Sequence, residues 1–170
     1  MKVSEIQDKL DEHRERLLVA IEPLPDETLL EPGVMGDWSI ADILAHLTAW
    51  ESEMVTGLMR IKQGKKPAKM IEAFDDVDGY NARRFEENKG RDIERIFDDL
   101  QGVRVQLEQW LEEFSEKDLS DPQRYKWSPG LTLAHIIEEN SYGHDAEHVE
   151  DIERFAAKWL AERPSEHGES

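Results

Sequence analysis

The chain has 170 residues, no cysteine and a formal charge of 21 − 39 = −18. The length supports one domain with a real core, the missing cysteine excludes disulfides and thiolate metal sites, and the acidity opposes phosphate-rich partners, so neither nucleic acid nor an anionic membrane is expected. No apolar run is long enough to span a bilayer, and the polar, amphipathic start MKVSEIQDKLDEHRERLL does not read as a signal peptide, which makes the cytoplasm the expected location.

Apolar residues at helical spacing mark four long segments. The first opens on a capping box at Ser4, Glu5, Ile6 and Gln7 and carries Ile6, Leu10, Leu17, Ile21 and Leu24 before Pro23 and Pro25 end it. Residues 26–37, with Pro32, Gly33 and Gly36, read as a loop. The second helix starts at the N-cap Ser39, with Asp42 three residues on, and its stripe is Ile40, Ile43, Leu44, Leu47, Trp50, Met54, Leu58 and Ile61. Gly64 to Pro67 stop it; a basic connector and a turn or helix start at Asp75–Gly79 follow. The third helix is interrupted: Tyr80–Glu87 is helical, residues 88–90 break it, and Asp92 caps a restart whose stripe runs from Ile93 to Phe114. Residues 115–130, with Pro122 and Pro129, read as a second long loop. The fourth helix begins near Leu131 and Thr132 and runs through Leu133, Ile137, His144, His148, Ile152, Phe155 and Trp159, fraying before Pro164. No stretch alternates convincingly as a strand does. The expected fold is all-α, an antiparallel four-helix bundle with long inter-helix loops, with residues 1–163 as one domain and residues 164–170 as a frayed tail.

A faint internal repeat aligns DWSIADILAH, ending at His46, with KWSPGLTLAH, ending at His135. It fits either two independent loop-to-helix starts anchored by a tryptophan or a pseudo-twofold pair of helical hairpins.

His144 and His148 are four residues apart, one turn and about 40° from each other, so they lie side by side on a helix. Imidazoles facing a core need partners, because a buried unpaired donor costs on the order of 1–3 kcal/mol. A shared metal ion satisfies both, and so do backbone carbonyls or carboxylates; spacing alone leaves the two readings open. His46 sits at the edge of the second stripe beside Ile43 and Trp50. His135, nine residues before His144, falls about 180° away on a regular helix and is expected to face elsewhere, while His13 and His167 read as surface residues. Trp50, Tyr80, Asn81 and Asn140 are pocket candidates: Asn140 precedes His144 by one turn, and Tyr80 and Asn81 open a helix where polar residues cap. A nearby carboxylate could move a proton, but Glu51 and Glu147 are only neighbours of the histidines in sequence, and no catalytic residue is assigned. There is no glycine-rich phosphate loop and no nucleophile in a recognisable context.

These segments resemble the DinB-like superfamily. GVMGDWSIADILAHLTAWE resembles the start of its second helix, NSYGHDAEHVEDI its last-helix His-x3-His motif, and DGYNARRFEENKGRDIERIFDDLQGVRVQLEQWL the ClbS/DfsB branch, so the similarity runs from about Ile6 to Leu160. The resemblance implies an up-down-down-up four-helix bundle, often a homodimer, in which His46, His144 and His148 bind a divalent ion, commonly zinc or nickel. The wider group includes transferases and isomerases that use a low-molecular-weight thiol. The ClbS/DfsB branch includes a protein that hydrolyses a strained cyclopropane in a genotoxin, and its members do not all keep the three histidines. The leading expectation is a metal-dependent enzyme acting on a small molecule, a hydrolase or a thiol-dependent transferase. The alternatives are a small-molecule binding or self-protection protein without metal catalysis, and a structural dimer module.

Overall fold

A computed structural model describes residues 1–163. The helices are α1 (Val3–Ile21), α2 (Asp26–Leu29), α3 (Ile40–Lys62), α4 (Ala68–Asp75), α5 (Val77–Asn88), α6 (Ile93–Leu111), α7 (Glu116–Ser120), α8 (Leu133–Asn140) and α9 (Tyr142–Ala161). The described residues contain no strand, only an isolated bridge between Met35 and Trp38. The expected frayed tail lies outside the described residues. No described helix is long and apolar enough to cross a membrane.

Four long helices build the bundle, with α1 packed on α9 and α3 on α6. Two apolar clusters fix their directions. One joins Ile6 and Leu10 of α1 to Met54 and Leu58 of α3, Leu107 and Leu111 of α6, and Leu133 and Tyr142. The other joins Leu17 and Ile21 to Ile40 and Leu44, Ile96 and Leu100, and Val149 and Ile152. Following each chain from one cluster to the other makes α1 and α9 run one way and α3 and α6 the opposite way. The bundle is therefore up-down-down-up, as the resemblance implies, and the antiparallel reading of the stripes is corrected: both closely packed pairs, α1 with α9 and α3 with α6, are parallel. A parallel neighbour cannot be reached by a short turn, which is why residues 63–92 make a long crossover.

Between the clusters lies a layer of charge. Each long helix contributes one member in register with its apolar stripe: Arg14 from α1, Glu51 from α3, Arg104 from α6 and Asp145 from α9, all buried. Arg104 donates to Glu51 at 2.7 and 3.2 Å and to Asp145 at 3.4 Å; Arg14 donates to Asp145 at 3.0 Å and to Glu51 at 3.2 Å. Spare guanidinium N–H groups reach the carbonyls of Leu10 and Leu100 at 2.9 and 3.4 Å. Two positive and two negative groups cancel, which is the condition for burying charge at tolerable cost.

Local chemistry explains where helices begin, and several expectations change. The box at Ser39 is real: its hydroxyl accepts from Asp42 N–H at 3.1 Å and Asp42 accepts from Ser39 N–H at 2.9 Å, worth about 1 kcal/mol. The box expected at Ser4 is absent, because α1 starts at Val3 with Lys2 as a bare N-cap. Tyr80 and Asn81 do not cap α5; Asp76 does, accepting from Gly79 N–H at 3.1 Å. Both expected long loops hold short helices, and the basic connector holds α4. Met70 and Ala73 of α4 bury against α3, where Gly57 leaves room: a Cβ there would lie 3.3 Å from Met70 and Pro67. The fourth helix is not continuous. It breaks at Ser141 (φ −138°, ψ −101°) into α8 and α9. The break presses Gly143 onto the Glu138 carbonyl, 2.8 Å from where a Cβ would sit.

Candidate metal centre

His46 lies two turns into α3 from the Ser39 cap, and His144 and His148 lie on the first two turns of α9. Packing of these helices brings the three rings together. The Nε2 atoms of His46 and His144 are 2.9 Å apart. Ring centroids are separated by 4.6 Å (His46–His144), 5.2 Å (His46–His148) and 4.8 Å (His144–His148), and one nitrogen from each ring lies within 4.8 Å of the others. Ligand nitrogens about 2.0–2.1 Å from a tetrahedral zinc lie roughly 3.3 Å from each other, so small ring rotations suffice to gather this set.

Electrostatics keeps the set ready as lone-pair donors. Burial drives the His46 pKa down to about 3, helped by His144 and His148, and drives His144 down to about 3, helped by His148. His148 is lowered by burial too, against the opposing charges of Glu147, Asp151 and Asp145. Three neutral imidazoles with no thiolate and no carboxylate among them form a donor set that suits a divalent transition-metal ion, zinc, nickel, copper and iron alike. The residues present fit the ion that the resemblance implies.

The surroundings hold the rings in place. Trp38 meets His46 edge-on at 5.0 Å and stacks on Phe85 at 5.5 Å. The tight Met35–Trp38 turn that aims it needs Gly36 at φ 59°. Asp145, next to His144, belongs to the charged layer, and its Oδ1 is buried without a hydrogen-bond partner. A groove of about 370 Å³ opens over the histidines, walled by Met35, Trp38, Trp50, Phe74 and Val77, with Asn81, Glu139, Asn140 and Glu147 supplying polar groups.

Three of the four pocket candidates line this groove. Trp50 donates from Nε1 to Asn81 at 2.7 Å, which fixes both side chains, and Asn140 donates to the Ile136 carbonyl at 2.8 Å. Tyr80 instead packs behind Trp50 (4.4 Å between rings) and lines a separate cleft, donating to the Ala49 carbonyl and Glu53, each at 3.2 Å. Glu51 is committed to the charged layer, whereas Glu147 stands exposed at the groove. His135 faces outward as expected, 3.1 Å from Glu139, although the break at Ser141 removes the regular-helix premise of that expectation. His13 is half-buried and stacked on Tyr142 at 5.8 Å, not a plain surface residue, and His167 lies outside the described residues. The two copies of the repeat start their helices differently: Ser39 caps α3, whereas Thr132 caps α8 and Ser128 bonds the Leu131 carbonyl. Sequence reasoning missed Phe74, Met35 and the charged layer.

The depressed histidine pKa values make an acid-sensitivity prediction. An unfolded histidine takes up its proton near pH 6.5, whereas His46 and His144 in the fold resist until about pH 3, so stability present above pH 6.5 is lost as the pH falls toward 3. At pH 5 the loss is up to about 2 kcal/mol for each ring. Urea unfolding of chelator-treated protein at pH 7 and pH 5 measures it. The slope should flatten in His46→Ala; an equal slope in that variant would exclude His46 as a source.

Comparison with known proteins agrees with this architecture. No curated protein sequence matches the chain. The solved structure of DfsB, described as a sibling lethal factor precursor, superposes with a TM-score of 0.76 at 17% identity, covering 94% of this chain and 97% of that one. The crystal structure of the colibactin self-resistance protein ClbS, in complex with a double-stranded DNA, gives 0.74 at 15% identity, covering 90% and 94%. A Streptococcus pneumoniae protein gives 0.76 at 12%, covering 91% and 90%. At these identities the likeness speaks to the fold. The sequence pattern of the DinB superfamily matches residues 9–152, and the chain belongs to that superfamily.

Proposed function

We propose that this protein is a metal-dependent enzyme acting on a small molecule, with His46, His144 and His148 holding a divalent ion at the floor of the groove. The single observation that carries this reading is the convergence of three neutral imidazoles from two helices where a groove reaches them. A bound zinc or nickel would supply Lewis acidity at a position the three histidines leave open. The chain's own residues do the rest. Trp38 and Trp50 shape the space beside the ion, Asn81 and Asn140 offer amide groups to a substrate, and Glu147 is the exposed carboxylate in a position to carry a proton.

Purified protein reconstituted with zinc or nickel and desalted is expected to retain about one ion per chain. The variant carrying His46→Ala, His144→Ala and His148→Ala is expected to retain none. Elemental analysis giving equal metal in both proteins would refute the reading.

A second reading, a protective protein that binds a reactive small molecule without turnover, is supported by the description of ClbS as a self-resistance protein. Thermal stabilisation by a ligand that is recovered unchanged would favour it. The DNA in that complex belongs to ClbS; here a charge of −18 opposes the phosphate backbone.

A further inference from the structure

The groove over the histidines carries a charge pattern that holding an ion does not require. Its charged lining residues are Glu139 and Glu147; no lysine or arginine lines it. Arg84 lines two adjoining clefts, one of which shares Trp38, His46 and Asn81 with the groove, and its guanidinium is engaged by Glu87 at 2.6 Å and Glu53 at 3.5 Å and lies over the Tyr80 ring. The walls are aromatic: Trp50 stacks on Phe74 at 5.8 Å with 12° between planes, and Trp38 presents a second indole.

Aromatic faces attract cations through their negative quadrupole, and carboxylates at the rim attract them by charge. An anion at the rim meets only like charge and π-faces. We propose that the substrate is a cationic amine with a planar apolar body: the ammonium sits at the rim where Glu139 and Glu147 stand, the body lies against Trp38, Trp50 and Phe74, and a neutral reacting group faces the histidines. This rests on the metal-site reading only for the reacting end; the selection by charge belongs to the rim and walls.

The test uses three probes that differ in one group: 4-phenylbutylamine, 4-phenylbutanol and 4-phenylbutyrate. Dissociation constants are read by tryptophan fluorescence, since Trp38 and Trp50 line the groove, on chelator-treated and on zinc-loaded protein. In chelator-treated protein the amine is expected to bind about tenfold tighter than the carboxylate, with the alcohol between. Glu139→Gln with Glu147→Gln should shrink that preference to within about threefold. Glu5→Gln with Glu12→Gln, exposed acids of α1, makes the same change in net charge and should leave it intact. Equal or tighter binding of the carboxylate to chelator-treated wild type overturns the proposal. So does a preference that survives the groove variant, or one that the α1 variant removes equally, which would trace it to the overall charge. The metal content of the same samples is scored separately. Amine selection in protein that never retains an ion would leave this inference standing and remove the metal reading; a retained ion without amine selection would do the reverse.

Discussion

Glu51→Ala is expected to cost about 3–5 kcal/mol of folding stability, a large share of the 5–15 kcal/mol that holds a typical domain. Glu51 is 1% exposed and accepts from both Arg104 and Arg14. Without it, two guanidinium groups remain buried against one carboxylate, Asp145, whose Oδ1 already lacks a partner. The cost comes from the uncompensated cation, not from the lost contacts alone, so a second change should give some of it back. Glu51→Leu combined with Arg104→Met removes one charge of each sign, and the pair is expected to be less damaging than Glu51→Leu alone. Urea unfolding of wild type, the two Glu51 variants and the double variant provides the comparison. A Glu51→Ala loss under about 1 kcal/mol, the range of an exposed ion pair, would mean the layer is wet and contributes as surface charge does.

The same layer shows what could be read from the chain and what could not. The apolar stripes were legible, and with them the four long helices and the cap at Ser39. Each stripe, however, has a gap filled by a charge: Arg14 between Leu10 and Leu17, Glu51 between Leu47 and Met54, Arg104 between Leu100 and Leu107, Asp145 between Tyr142 and Val149. One charge in an amphipathic helix reads as a surface residue. Only the bundle topology brings the four to one level, where they neutralise each other. Helix direction was not legible in the stripes and came only with the resemblance, because parallel pairing of α3 with α6 depends on the path of residues 63–92, not on either stripe. The short helices α2, α4 and α7 are four to eight residues long, too few turns for a period to emerge. The break at Ser141 lacks a proline; its trace is Gly143, the one residue type that tolerates the Glu138 carbonyl so close. The three histidines were nameable in advance because of resemblance, while spacing alone paired only His144 with His148. Phe74 and Met35 join the groove from elements remote in sequence, and nothing local marks them.

Loss of any one histidine is expected to abolish stabilisation by zinc while leaving the fold in place. At free zinc 100 times its dissociation constant, binding to the native state adds about 2.7 kcal/mol, which for a chain of this size raises Tm by roughly 5–11 °C. Residues that merely orient metal ligands are worth about 10–100-fold in affinity, so removing a ligand should cost at least the upper figure. A 100-fold weaker site at the same zinc concentration adds only about 0.4 kcal/mol, a shift of about 1 °C. The measurement is therefore the difference in Tm with and without zinc for wild type, His46→Ala, His144→Ala and His148→Ala. Taking each variant against its own chelated baseline cancels whatever it loses in packing, which matters for His148, buried between helices at 7% exposure. His135→Ala and His13→Ala serve as controls: the first side chain is exposed beside Glu139 and the second stacks on Tyr142, so neither should change the zinc shift. A wild-type shift that persists in His46→Ala would assign the ion to α9 alone and detach α3 from the site. A shift abolished by His135→Ala as completely as by His144→Ala would place zinc on the outer face of α8, outside the groove altogether.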